Sequence, residues 1–172
     1  VSAVKEGRRI YDNLLKSIQF MLSTNLGEIM VLFTAVIANW ATPLLPIHIL
    51  WINLVTDSLP ALALSVDPAS HDIMSRKPLD PKQGILTRSL SPRIVLQGVM
   101  ITALVLWAYN IGMERSLDVA RTMTFATLAF SQMTLIFSIR SGMENAFSTL
   151  FSNLLLWGAI LFVVLLMGVV LF

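Results

Sequence analysis

Five stretches of the chain stay apolar for about twenty residues each, at roughly 18–38, 44–66, 94–113, 119–139 and 154–172. A helix needs about 20 mostly apolar residues to cross the hydrocarbon core of a bilayer. Strands of a membrane barrel would be short and alternating instead. The pattern therefore predicts an all-α fold, a polytopic transmembrane helix bundle. The first helix is expected to outrun the membrane. No proline interrupts the chain from Val4 to Ala38, which makes about 50 Å of helix at ~1.5 Å per residue, against a core of ~30 Å. The excess, residues 1–17, is charged and reads as a long cytoplasmic stalk. The alternative is an amphipathic helix lying on the lipid surface.

The polar connectors orient the bundle. Lys5, Arg8, Arg9 and Lys16 precede the first span. Arg76, Lys77, Lys82, Arg88 and Arg93 lie between the second and third, and Arg140 follows the fourth. Only Arg115 and Arg121 lie toward the other side. Basic residues concentrate in cytoplasmic loops, so the N-terminus and the 67–93 loop are expected in the cytoplasm. The outer turn "NWATPLLP" (39–46) is uncharged and tight, which makes the first two spans antiparallel neighbours. Composition agrees with this picture. Apolar residues make up 56% and charged residues 13%, against about a quarter charged in a soluble domain. With no cysteine, thiolate metal sites and disulfides are excluded. The partner expected from the pattern is the lipid bilayer, with no nucleic acid. The charged beginning of the chain is unlike a signal peptide, and the sequence reads as a fragment of something longer.

Two carboxylates break the apolar pattern. Of ten acidic residues only Glu28 and Asp57 fall deep within spans. A carboxylate at membrane depth costs several kcal/mol and marks a functional site by default. In "STNLGEIM", Asn25 and Glu28 are three apart on one helix face. In "NLVTDSLPALAL", Asn53, Thr56 and Asp57 share a face at i, i+3 and i+4. Counting inward from the outer turn sets Glu28 and Asp57 at similar depth. Pro60 has no N–H for the carbonyl of Thr56, so a broken helix with freed carbonyls is expected beside Asp57. Gly27 permits close approach of another helix. The donors are all oxygens, which suits a hard cation such as calcium. Gln132, in the fourth span, would add an amide oxygen or serve only packing. Thr124, Thr127, Ser131, Thr134 and Ser138 form a small-polar stripe that reads as helix packing. His48 reads as interfacial and His71 as solvated. A structural hydrogen-bond network is the competing account of the two-helix cluster.

These residues resemble a known family. "NLVTDSLPALAL" looks like the sixth transmembrane helix of P-type calcium-transporting ATPases, and "STNLGEIM" the fifth. "EGRRIYDNLLKSIQFML" resembles the stalk of the fifth helix, "DPASHDIMSRKP" the loop after the sixth, and "RTMTFATLAFSQM" the eighth. The resemblance spans nearly the whole chain and is most specific in residues 1–78. It implies that residues 1–172 are the C-terminal membrane domain, helices five to nine, of an ATP-driven ion pump. It further implies that Asn25, Glu28, Thr56 and Asp57 serve one calcium site, and Asn53 and Asp57 a second. Where the reticulum-type pumps carry a glutamate, this chain has Gln132. That substitution leaves the number of ions per cycle open.

By the same resemblance, helices one to four and ten and the cytoplasmic domains are the remaining partners of this segment. The calcium ion is transported, while ATP and magnesium belong to the phosphorylation and nucleotide-binding domains. No "DKTGT" stretch is present, so these residues alone cannot hydrolyse ATP. The implied function is calcium export from the cytoplasm with proton counter-transport. Sodium or manganese pumping within the same superfamily, or a non-catalytic scaffold or channel subunit, are the alternatives. Short outer loops and the lack of cysteine point to a prokaryotic plasma membrane.

Overall fold

The computed structural model describes residues 2–68, 73–75, 90–141 and 153–171. Five helices are found among them: α1 (Ser2–Ile37), α2 (Pro46–Ser65), α3 (Leu90–Met113), α4 (Leu117–Ser141) and α5 (Leu154–Leu171). The first four are long and apolar enough to cross a membrane, and α5 is a shorter apolar helix. The 67–93 loop, including His71, and the 140–153 link lie largely outside the described residues.

The bundle is apolar outside and polar inside. Ile29, Phe33, Val36, Trp107 and Leu154 project outward, a surface suited to lipid rather than water. Glu28, Thr24, Thr56, Asp57, Thr124 and Gln132 are buried. This inversion makes the chain a multi-pass membrane bundle.

Helix α1 runs unbroken for 36 residues, so stalk and span are one rod. It ends where Asn39 takes a left-handed backbone with φ 53°. There Trp40 N–H donates to the Ala35 carbonyl at 2.9 Å and Asn39 N–H to that of Val36 at 3.2 Å. These two bonds close the helix end and start the outer turn. The turn is then fixed from the other helices. Tyr109 Oη donates to the Ala41 carbonyl at 2.8 Å, and Arg121 Nε donates to that of Thr42 at 3.1 Å. His48 lies against Phe125 with ring centroids 4.9 Å apart and the rings tilted by 31°.

Helix α2 is not broken at Pro60, contrary to the expectation. It is wound as a π-helix from Ile52 to Asp57 and returns to α-helix at Ser58. A π-helix pairs residues five apart. Locally the changed partnering lets the helix continue past a residue that donates no backbone bond. Ser58 Oγ also donates to the Asn53 carbonyl at 2.8 Å.

Helix α1 packs on α2, α3 and α4, and α5 closes against α2 and α4. The α1–α3 crossing is tight because both helices offer glycine. A Cβ on Gly27 would lie 3.0 Å from the Ile101 side chain, and one on Gly98 would lie 3.0 Å from Leu26. Thr102 Oγ1 reaches the Gly27 carbonyl at 3.3 Å. Helices without a hydrophobic driving force between them depend on such close packing. The α3–α4 hairpin has the same device at Gly112, whose added Cβ would strike the Ala120 backbone. Backbone cannot swing aside as a side chain can. Gly112→Leu is therefore expected to destabilise the bundle by about 1–3 kcal/mol or more. Thermal unfolding in detergent checks this, and an unchanged midpoint would contradict the contact.

Candidate cation site

Helices α1 and α2 meet antiparallel. Asn53 Nδ2 donates to Glu28 Oε2 at 3.3 Å, and one turn further toward the N-terminal end of α1 Thr24 Oγ1 donates to Asp57 Oδ2 at 3.1 Å. Ser17 Oγ reaches the Ala61 carbonyl at 3.1 Å still further along. The two carboxylates therefore do not face each other at one depth. They occupy adjacent rungs, about one helical turn or ~5 Å apart along the axis. Each faces a neutral partner on the opposite helix.

Helix α4 completes the group. Gln132 is fully buried, and its Nε2 donates to Glu28 Oε1 at 3.3 Å. Both oxygens of Glu28 thus accept an amide N–H from a different helix. Thr124, Ser131 and Thr134 of the small-polar stripe instead donate to carbonyls of their own helix, at 2.7, 2.8 and 3.0 Å.

Three buried oxygens around this group have no hydrogen-bond partner among the described residues: Thr56 Oγ1, Asp57 Oδ1 and Gln132 Oε1. Leaving a buried acceptor unsatisfied costs about 1–3 kcal/mol. Three together, all oxygens, are the donor chemistry a hard cation takes. The amides of Asn53 and Gln132 each carry an oxygen beside the N–H₂ group, so a half-turn of either would present oxygen to Glu28's neighbourhood. Among the described residues no three His, Asp or Glu side chains cluster. The donor set is two carboxylates with neutral oxygens around them.

Five of the six residues singled out from the sequence, Glu28, Asn53, Thr56, Asp57 and Gln132, gather on the facing surfaces of α1, α2 and α4. Asn53 is the exposed member, on the open side of the group. Asn25 is placed differently. It lines a cavity of about 330 Å³ with Leu22, Leu26, Ile29, Ser91, Ile94 and Val95, between α1 and α3. Thr24, one residue earlier, takes the place beside Asp57. It went unnoticed in the sequence because threonine is common in membrane helices. The signal was its i, i+4 spacing to Glu28, which mirrors that of Asn53 to Asp57.

A second polar group lies toward the stalk end of the bundle. Asp67, just beyond α2, is buried. Its Oδ1 accepts from Arg140 Nε at 3.0 Å and Asn153 Nδ2 at 3.1 Å, and its Oδ2 from Lys16 Nζ at 2.9 Å. Burial alone pushes its carboxyl up, but the hydrogen bond and charge of Lys16 and the hydrogen bonds of Arg140 and Asn153 prevail and hold it below the usual carboxylate range. Arg8 Nη1 also donates to the Ile73 carbonyl at 2.9 Å, tying the stalk to the segment after α2.

A multi-pass bundle with an apolar exterior and ionisable groups inside is the architecture of proteins that handle ions across membranes. The family model for the cation transporting ATPase C-terminus matches residues 41–172, and the chain belongs to that family. It is 43% identical over 99% of its length to a calcium-transporting ATPase of Bacillus subtilis, covering 20% of that protein. It is 44% identical over 89% of its length to calcium-transporting ATPase 1 of Bacillus cereus, covering 19% of it. A calcium-transporting ATPase of Listeria monocytogenes is 37% identical over 98% of the chain. The chain spans about a fifth of the length of these relatives.

Thr24→Val removes the hydroxyl that donates to Asp57 while keeping the side-chain shape. The expected cost is about 1–3 kcal/mol. It is read as a lowered thermal midpoint in detergent without added cation. A midpoint equal to wild type would show that the Thr24–Asp57 bond contributes nothing.

Proposed function

We propose that residues 1–172 are the ion-binding and transduction part of a P-type ATPase that exports calcium from the cytoplasm. On this reading Glu28, Asp57, Thr56, Asn53 and Gln132 supply the cation's oxygens. Asn25 joins them only if α1 turns. The observation that carries the proposal is the set of three unpartnered buried oxygens beside two carboxylates. Such a set is costly empty and favourable around a hard cation. The printed names of the relatives agree with calcium as the transported ion.

The chemistry divides between the parts of the longer protein. ATP and magnesium serve phosphoryl transfer in cytoplasmic domains. The α1 rod, continuous from stalk to Glu28, carries the movement of those domains to the site. The segment sits in the plasma membrane of a bacterium, with the stalk inward and spans at about 18–38, 44–66, 94–113, 119–139 and 154–172.

Asp57→Asn in the full-length protein is expected to abolish calcium-dependent phosphorylation by ATP. The assay is phosphoenzyme formation across a calcium titration, repeated with manganese and sodium. Normal calcium dependence in the variant would sink the site assignment, and a response only to another ion would reassign the cargo.

Release of the cation leaves two carboxylates among apolar helices, where uncompensated charge costs several kcal/mol. Protons are expected to replace it, so that calcium uptake into vesicles runs against proton release. A pH-sensitive dye inside sealed vesicles should alkalinise during ATP-driven uptake. Uptake with no pH change, in the presence of a potential-clamping ionophore, would rule out the exchange.

A further inference from the structure

The three helices that supply Glu28, Asp57 and Gln132 meet a second time, at Asp67. Lys16 lies twelve residues before Glu28 on α1. Asp67 lies ten after Asp57, beyond the end of α2. Arg140 lies eight after Gln132 on α4. At ~1.5 Å per residue this second layer is about 12–18 Å from the first, on the cytoplasmic side.

We propose that Asp67 is a positioning residue for cation binding, a shared anchor that sets how far α1, α2 and α4 are advanced along one another. The inference rests on the pump reading above. Its two carboxylate oxygens are divided between helices. Oδ2 takes Lys16 of α1 at 2.9 Å, while Oδ1 takes Arg140 of α4, with Nη2 at 2.9 Å. The Asp67 backbone carbonyl accepts Asn13 Nδ2 of α1 at 2.8 Å. Asn153 extends the anchor to α5. Its Nδ2 also reaches the Ala63 carbonyl of α2 at 2.9 Å, and its Oδ1 accepts Leu156 N–H at 3.1 Å, capping α5.

The physical case is one of tolerance. Apolar helices in lipid are held by packing, which resists separation better than sliding. A cation site works only if its oxygens are held to within about 0.5 Å. A slide of α1 against α2 large enough to misplace Glu28 breaks the Lys16 and Asn13 bonds. A slide of α4 breaks the Arg140 bonds. The Lys16 and Arg140 bonds are charge-assisted, and Arg140 and Asp67 are both buried, so parting that pair costs more than parting a surface one. The anchor therefore transmits axial movement of the stalk to α2 and α4 together.

The test uses the full-length protein. Asp67→Asn alone takes the carboxylate away from the buried Arg140. The informative variant is therefore Asp67→Asn with Arg140→Gln, which keeps neutral hydrogen-bonding groups and removes the ion pair. Calcium-dependent phosphorylation by ATP and phosphorylation by inorganic phosphate without calcium are measured side by side. The calcium concentration for half-maximal phosphorylation is expected to rise about fivefold or more. The maximal level and the reaction with inorganic phosphate should stay near wild type. An unshifted half-maximal concentration overturns the proposal. So does a parallel loss of all three quantities, which marks a residue needed only for folding. Should the double variant fail to insert, Lys16→Met removes the charged half of α1's hold on Asp67, leaves the Asn13 bond in place, and carries the same expectation in direction. The two readings fail separately. A wild type indifferent to calcium, manganese and sodium overturns the pump assignment, whereas a calcium-dependent wild type with unshifted variants overturns the anchor.

Discussion

Everything in this bundle answers to the burial of Glu28 and Asp57. In a medium without water, a carboxylate must find donors from protein, a proton or a cation. The chain meets that demand by bringing three helices to the same place. Glu28 takes an amide from α2 and another from α4, and Asp57 takes a hydroxyl from α1. None of these donors is a cation. The carboxylates are solvated enough to be held but not neutralised, and oxygens remain unpartnered beside them. That balance distinguishes the group from a salt bridge and is what the proposed exchange of a cation requires.

Asp67 shows the contrast. It too is a buried carboxylate, yet it has two cationic side chains and an amide around it. Its charge is fixed. One end of the bundle thus carries a permanently compensated anion, and the middle carries anions left without permanent countercharge. The two groups draw on the same three helices.

Much of this was legible in the sequence. Span length gave the helices, and the absence of proline from Val4 to Ala38 gave the continuous stalk. Ionisable residues inside apolar runs marked Glu28 and Asp57. What could not be read was the relative rotation and advance of the helices. Asn25 and Thr24 are adjacent, and periodicity alone cannot say which one turns toward Asp57. The structure decides it through the α1–α2 register, which depends on the outer turn and its Asn39 cap. Asp67 was passed over because it sits near the end of a span, where charge is ordinary. Its importance lies in partners distant in sequence, Lys16, Arg140 and Asn153. Pro60 implies a break only where the flanking helix is α-wound, and here the preceding turn is a π-helix.

The π-wound turn of α2 has a geometric effect on side-chain alignment. At 3.6 residues per turn, residues four apart are offset by about 40° around an α-helix. Winding more residues into each turn reduces that offset, so Asn53 and Asp57 come nearly into line along the axis. Both positions of α2 then reach α1, Asn53 at Glu28 and Asp57 at Thr24. The widened turn thus acts as a vernier, converting a skewed pair of positions into a vertical one.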